Sequence, residues 1–154
     1  MNMELAERIA TFLATHHVLS LATGGPSGPH AANLFYACDG LTLVWVSDPT
    51  ALHSRAIAAD PRVAATIAPD YTDFAVIRGL QFAGMARRVA EPERARHLAL
   101  LEMRYSFLKQ LADAPAELRT AYARIAVYRL EPARIVLIDN TMGFGHKETL
   151  DLSA

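Results

Sequence analysis

Five residues that can do chemistry fall within one short stretch: Ser47, Asp48, Thr50, His53 and Arg55. They sit where an apolar run, Leu43-Val44-Trp45-Val46, gives way to a helical pattern running from Thr50 to about Ala59. Pro49 suits the first helical position and Asp48 the cap before it. A helix N-terminus presents unpaired N–H groups and a partial positive charge, so it attracts anions. Two hydroxyls, an imidazole and a guanidinium beside such an end suit a phosphate group. The same residues also suit an ordinary capped helix between two strands, and both readings stand at this stage.

A second candidate lies in Arg78-Gly79-Leu80-Gln81-Phe82-Ala83-Gly84. In a strand, Gly79, Gln81 and Ala83 share one face. Gln81 is then a single amide on a face of small residues, where a flat heterocycle can lie with its edge bonded to the amide. An exposed surface glutamine explains the pattern equally well. The third candidate is the tail Asp139-Asn140-Thr141-Met142-Gly143-Phe144-Gly145-His146-Lys147, in which Phe144 stands between two glycines.

Other chemistries find little support. The six histidines have no zinc-helix spacing, and Cys38 has no second cysteine with which to share a metal or a disulfide. No metal site is expected. Cys38 lacks an assignable activating base. No Gly-x-Ser-x-Gly elbow occurs. Asp70 and Asp73 read as solvated loop residues. No side chain stands out as a proton donor, so no catalytic residue is assigned.

The elements that must position these residues can be read in order. Leu5, Ile9, Phe12 and Leu13 recur at helical spacing, which predicts a helix over 3–16. Val18–Ala22 is a short strand, the Gly24–Pro29 segment a hairpin connection without the P-loop ending, and His30–Tyr36 a second strand. Cys38-Asp39-Gly40 is a tight turn into a third strand, Leu41–Val46, so antiparallel pairing of the second and third strands is expected. After the central helix come Val63–Ile67 and a long strand, Phe74–Val89, bent at Gly79 or Gly84. A helix from Pro92 to about Tyr105 follows, with Leu98, Leu101 and Tyr105 on its apolar face. A shorter helix spans Ala116–Arg124, and a final strand, Ile125–Ile138, is interrupted near Glu131-Pro132. About six strands with no helix between the first three argue for a small antiparallel barrel, against a doubly wound parallel sheet.

The chain of 154 residues suits one domain, 1–154. A net charge of −1 argues against nonspecific nucleic-acid binding. Acidic residues in the first helix exclude a signal peptide, and no apolar run spans a bilayer, so a cytoplasmic protein with no membrane partner is expected.

Together, HAANLFYA (His30–Ala37), VWVSDPTALHSR (Val44–Arg55), DPRVAATI (Asp60–Ile67) and IRGLQFAG (Ile77–Gly84) resemble the pyridoxamine 5′-phosphate oxidase-like group of split-barrel flavoproteins. The tail IDNTMGFGHK (Ile138–Lys147) resembles its YhbP-type branch. The resemblance implies a six-stranded antiparallel split β-barrel with flanking helices and a homodimer with FMN in interfacial clefts. Ser47 and His53 would then hold the FMN phosphate, with Asp48, Thr50 and Arg55 around it. Ala32, Asn33 and Leu34 would run beside the flavin ring and Gln81 would reach it; Phe144 in the tail is a further candidate cofactor contact. Relatives commonly carry arginine where this chain has Leu52, which removes a charge-assisted contact that Arg55 would replace. The arginine and histidine set that grips pyridoxal phosphate in the true oxidases has no clear equivalent, so a vitamin B6 oxidase is not expected. The implied activity is FMN-dependent hydride transfer with a small molecule. A non-catalytic flavin or haem binder and a deazaflavin F420-dependent reductase are the alternatives.

Overall fold

The structure, a computed structural model, describes residues 1–153, with the side chain of Ala112 left out. Helix α1 (Met3–Thr15) opens the chain; the Asn2 side chain caps it by accepting from the Leu5 N–H at 3.0 Å. Its Leu5, Ile9, Phe12 and Leu13 are buried. The strands β1 (Val18–Thr23), β2 (His30–Phe35), β3 (Ala37–Asp39) and β4 (Thr42–Ser47) follow. Next come α2 (Leu52–Ala59), β5 (Arg62–Ile67), β6 (Arg78–Arg88), α3 (Glu93–Arg104), α4 (Ser106–Gln110) and α5 (Ala116–Ala123). The chain ends with β7 (Ala126–Asp139) and β8 (Lys147–Asp151).

All pairings are antiparallel, in the order β2-β1-β5-β6-β7-β4-β3, with β8 added to β7. The sheet curls around a core that includes Leu19, Leu21, Trp45, Leu80, Phe82, Tyr128 and Ile135, all nearly inaccessible. The expected antiparallel split barrel is therefore present, with eight strands rather than six. One edge of β7 is divided between two partners. Residues 126–130 pair with β4 and residues 134–138 with β8. Its other edge pairs with β6 from Tyr128 to Asp139. The register shifts at Ala83/Gly84, where β7 carries the extra residue Ala133. Inward positions on β7 consequently change parity, from Ala126, Tyr128 and Leu130 to Ile135, Leu137 and Asp139. Gly84 lies so close to the Glu131 carbonyl that a Cβ there would overlap it.

A second apolar cluster, Ala37, Val44, Leu101, Tyr105 and Leu108, fixes α3 and α4 against β3 and β4. Arg104 locks α1, α3 and the end of β2 together. Its guanidinium donates to the carbonyls of Leu13 (3.0 Å), Ala14 (3.3 Å), Tyr36 (3.0 Å) and His16, and lies 4.8 Å from the Tyr36 ring centroid.

Three expectations need correction. The central helix begins at Leu52, not Thr50, and its N-cap is Ala51 with no side-chain cap. Asp48 and Pro49 lie before it, because Asp48 Oδ1 instead accepts from the Thr50 N–H (2.8 Å) and hydroxyl (2.7 Å), closing a local turn. The second strand does not pair with the third: β2 turns away to β1, and the short β3 makes the hairpin with β4. Phe74–Val76 is a 3-10 turn, so β6 starts at Arg78. A 3-10 turn at Asn140–Met142 leads into β8.

Candidate functional site

The seam of the curled sheet lies between edge strand β2 and the β4–α2 junction. Ser47 has the same strand parity as buried Leu43 and Trp45, so its hydroxyl points to the inner side. There Ser47 Oγ and His53 Nε2 share a hydrogen bond of 2.6 Å. On β2, His30, Ala32 and Leu34 face inward, opposite Thr23, Leu21 and Leu19. His30 places its imidazole 6.5 Å from that of His53, nearly parallel at 3°. Burial, and secondarily the charge on His30, hold His53 below its ordinary pKa of 6.5. His53 is therefore mostly neutral at pH 7. With no side-chain cap on α2, its first-turn N–H groups remain free for another acceptor.

The ten sequence candidates separate into distinct places. Ser47, His53 and Ala32 share the seam. Leu34 faces the same way and packs against the core. Asp48 and Thr50 are bonded to each other, and these bonds hold the Asp48 carboxyl below its usual range. In this arrangement Thr50 donates to Asp48 and has no free proton for a phosphate, and Asp48 adds negative charge. Arg55 follows His53 by two residues, about 200° around the helix. It lines cavities that include neither Ser47 nor His53. The expected compensation for Leu52 is therefore not made at this pair.

Asn33 and Gln81 lie on the outer face of the sheet. They belong to one cross-strand row, Asn33–Ser20–Thr66–Gln81–Val136, in which Ser20 Oγ donates to Asn33 Oδ1 at 2.7 Å. The neighbouring row is Ala31–Ala22–Ala64–Ala83. Gln81 thus stands on the face of small residues that its sequence pattern implied, but that face is opposite to the one bearing Ser47. Phe144 is 85% exposed and meets only the Phe74 ring edge-on at 5.8 Å among the described aromatic pairs.

His30 was missed by the sequence reading. Its signal was available: it shares β2 parity with Ala32 and Leu34. Burial pushes the Cys38 thiol up to about 11, which disfavours the nucleophilic thiolate at neutral pH.

A curled antiparallel sheet with flanking helices is the split-barrel class of fold. The sequence profile described as pyridoxamine 5′-phosphate oxidase matches residues 5–139, and the chain belongs to that family. Within it, the chain is similar along nearly its whole length to the UPF0306 proteins. It is 32% identical to the one from Serratia proteamaculans, covering 94% of this chain and 93% of that protein. It is 27% identical to UPF0306 protein YhbP of Escherichia coli, over 94% and 92% of the two chains. These relatives define the YhbP-type branch. Among solved structures, a haem-binding protein from Mycobacterium smegmatis superposes with a TM-score of 0.76 at 26% identity. That match covers 95% of this chain and 57% of that one. The haem storage protein HutZ from Vibrio cholerae shares the fold, with a TM-score of 0.65 over 94% of this chain and 92% of that one at 15% identity. Among the described residues, no helix is long and apolar enough to cross a membrane.

Proposed function

We propose that this chain is a cytoplasmic, homodimeric flavoprotein that binds FMN at the β2/β4–α2 seam and serves as an oxidoreductase toward a small molecule. The observation that carries the reading is the Ser47–His53 pair beside the uncapped start of α2. A hydroxyl, an imidazole and free backbone N–H groups form a donor set that fits a phosphate monoester. FMN, when bound, would supply hydride transfer. The protein would orient it. Ser47 and His53 would hold the phosphate, while Ala32 on β2 would border the ring.

Dimerisation gives Asn33 and Gln81 a role that one protomer cannot. Their outer face carries small side chains, flanked by exposed Val18 and Phe35. Such a face suits coverage by a second copy, which would bring the amide of Gln81 toward the neighbouring seam. Light scattering at micromolar concentration should give twice the chain mass; a monomer would count against this arrangement.

The test of the cofactor is the visible spectrum of the purified protein, followed by FMN titration and competition with F420. A flavin band and saturable FMN binding are expected. A colourless protein that takes up no FMN would end the reading.

A haem-binding role is the second reading. It is favoured by the parallel His30 and His53 imidazoles and by the likeness to the haem-binding protein of Mycobacterium smegmatis. A Soret band without a flavin band, lost on replacing either histidine, would select it.

A further inference from the structure

Helix α2 has a second chemically equipped side, turned away from His53. Between it and the ends of β6 and β7 lies a cavity of about 380 Å³, within the range of small-molecule sites. Its walls include Ile57, Ala86 and Tyr128, and its polar residues are Ser54, Arg55 and Arg88. None of the lining residues is acidic.

Three observations set this cavity apart from ordinary surface. First, among the described residues neither the Arg55 nor the Arg88 guanidinium forms an ion pair or a side-chain hydrogen bond. The third lining arginine, Arg87, is neutralised by Glu93 at 3.0 Å and Glu131 at 3.4 Å. Second, Arg88 shares the inward parity of Ala86 and stands opposite Tyr128, so the sheet aims this cation toward the mouth of the barrel. Third, Ser54 is only 2% exposed and its hydroxyl lacks a hydrogen-bond partner. A buried hydroxyl without a partner is costly unless something satisfies it.

We infer that this cavity is a second anion-binding site, which takes a small molecule with a phosphate or carboxylate head and a ring-sized apolar body. The head would be held by Arg55 and Arg88, which can donate bidentately to such groups. The body would lie against Ile57, Ala86 and the Tyr128 ring. The site is distinct from the Ser47–His53 pair, and the inference does not depend on which cofactor that pair holds.

The protein carries its own reporter. Trp45 is the sole tryptophan, and its ring stacks on Tyr128 with centroids 6.1 Å apart. Phenyl phosphate, inorganic phosphate and benzoate are titrated into the protein as purified, with heat and Trp45 emission both followed. Phenyl phosphate should bind saturably, more tightly than inorganic phosphate, and shift the emission. Arg55→Gln with Arg88→Gln should weaken it about tenfold or more. Both arginines are exposed, so the fold should survive, and a thermal melt checks this. Ala58→Glu, at an exposed helical position, is a second variant that places a competing carboxylate at the cavity and should weaken binding similarly. Ser47→Ala with His53→Ala removes at most a separate contact at the seam, and should leave unchanged the phenyl phosphate binding that shifts Trp45 emission. Absence of saturable binding, equal affinity in the arginine variants, or loss confined to the Ser47/His53 variant would each overturn the inference.

Discussion

Two basic regions of this molecule use their donors in opposite ways. At the Arg104 anchor the guanidinium donates inside the protein, to the carbonyls of Leu13, Ala14, His16 and Tyr36, with the Tyr36 and Tyr105 rings beside it. Around α2 the reverse holds. Among the described residues the helix start has no side-chain cap, Arg55 has no carboxylate partner, and the Ser47 and His53 side chains bond only to each other. Two structural elements of similar chemistry therefore separate by whether their hydrogen-bonding capacity is closed or open. The closed one stabilises the fold; the open one is where a ligand gains most.

The largest effect should come from the closed region. Arg104→Ala would strip partners from four carbonyls and cost about 3 kcal/mol of stability. For a chain of this size that lowers the melting temperature by roughly 8 °C. FMN affinity, measured below the melt, should not change. Arg104→Lys should restore little, because an ammonium cannot span the same carbonyls. A stable Arg104→Ala protein would break the comparison.

Next is the open region. Ser47→Ala with His53→Ala should weaken FMN binding about 10–100-fold by fluorescence titration. The melting temperature should move by no more than about 2 °C. Strong destabilisation instead would show that this pair, too, belongs to the framework.

A smaller effect sharpens the same point through pH. His53 has its pKa lowered in the fold by burial and by His30. Its neutral form is favoured, so at pH above 6.5 it contributes no pH-dependent stability. As the pH falls below that value the unfolded chain takes up the proton first, and some stability of the ligand-free protein is lost. A bound phosphate favours the charged imidazole, so FMN affinity should rise a few-fold on going from pH 8 to pH 6. His53→Gln should flatten that profile; an unchanged profile would remove His53 from the phosphate site.

The smallest expected effect concerns Asp48. Asp48→Asn keeps an oxygen for the Thr50 N–H but deletes a negative charge near the seam. FMN binding should tighten about twofold in low salt, and less in high salt.

Much of this was legible in the sequence because local periodicity carries it. Leu5, Ile9, Phe12 and Leu13 mark α1, and alternation along Arg78–Gly84 puts Gln81 on the face of small residues; that this face is the outer one is set by the sheet. Other features have no local signature. Strand β8 buries only Leu150, and its stability comes from the backbone ladder to β7, so Lys147–Asp151 carries no apolar alternation. Asp48 resembles a helix cap until its competing bond to Thr50 is seen. The partition of the candidates among seam, outer face and far tip depends on strand order, and so do the partners of Arg104. Ser47 and His53 were found because they are close in the chain; His30 joins them only through the barrel.

The divided edge of β7 has a consequence for how the molecule opens. One 14-residue strand is bonded to β6 from Tyr128 to Asp139 on one side and, on the other, first to β4 and then to β8. Neither half of the sheet can detach without breaking bonds to it. Its amides should be the slowest in the protein to exchange with deuterium, with those of β2, at the edge, among the fastest of the strands. Fluctuation would then be concentrated at the seam, on the side where a cofactor has to enter.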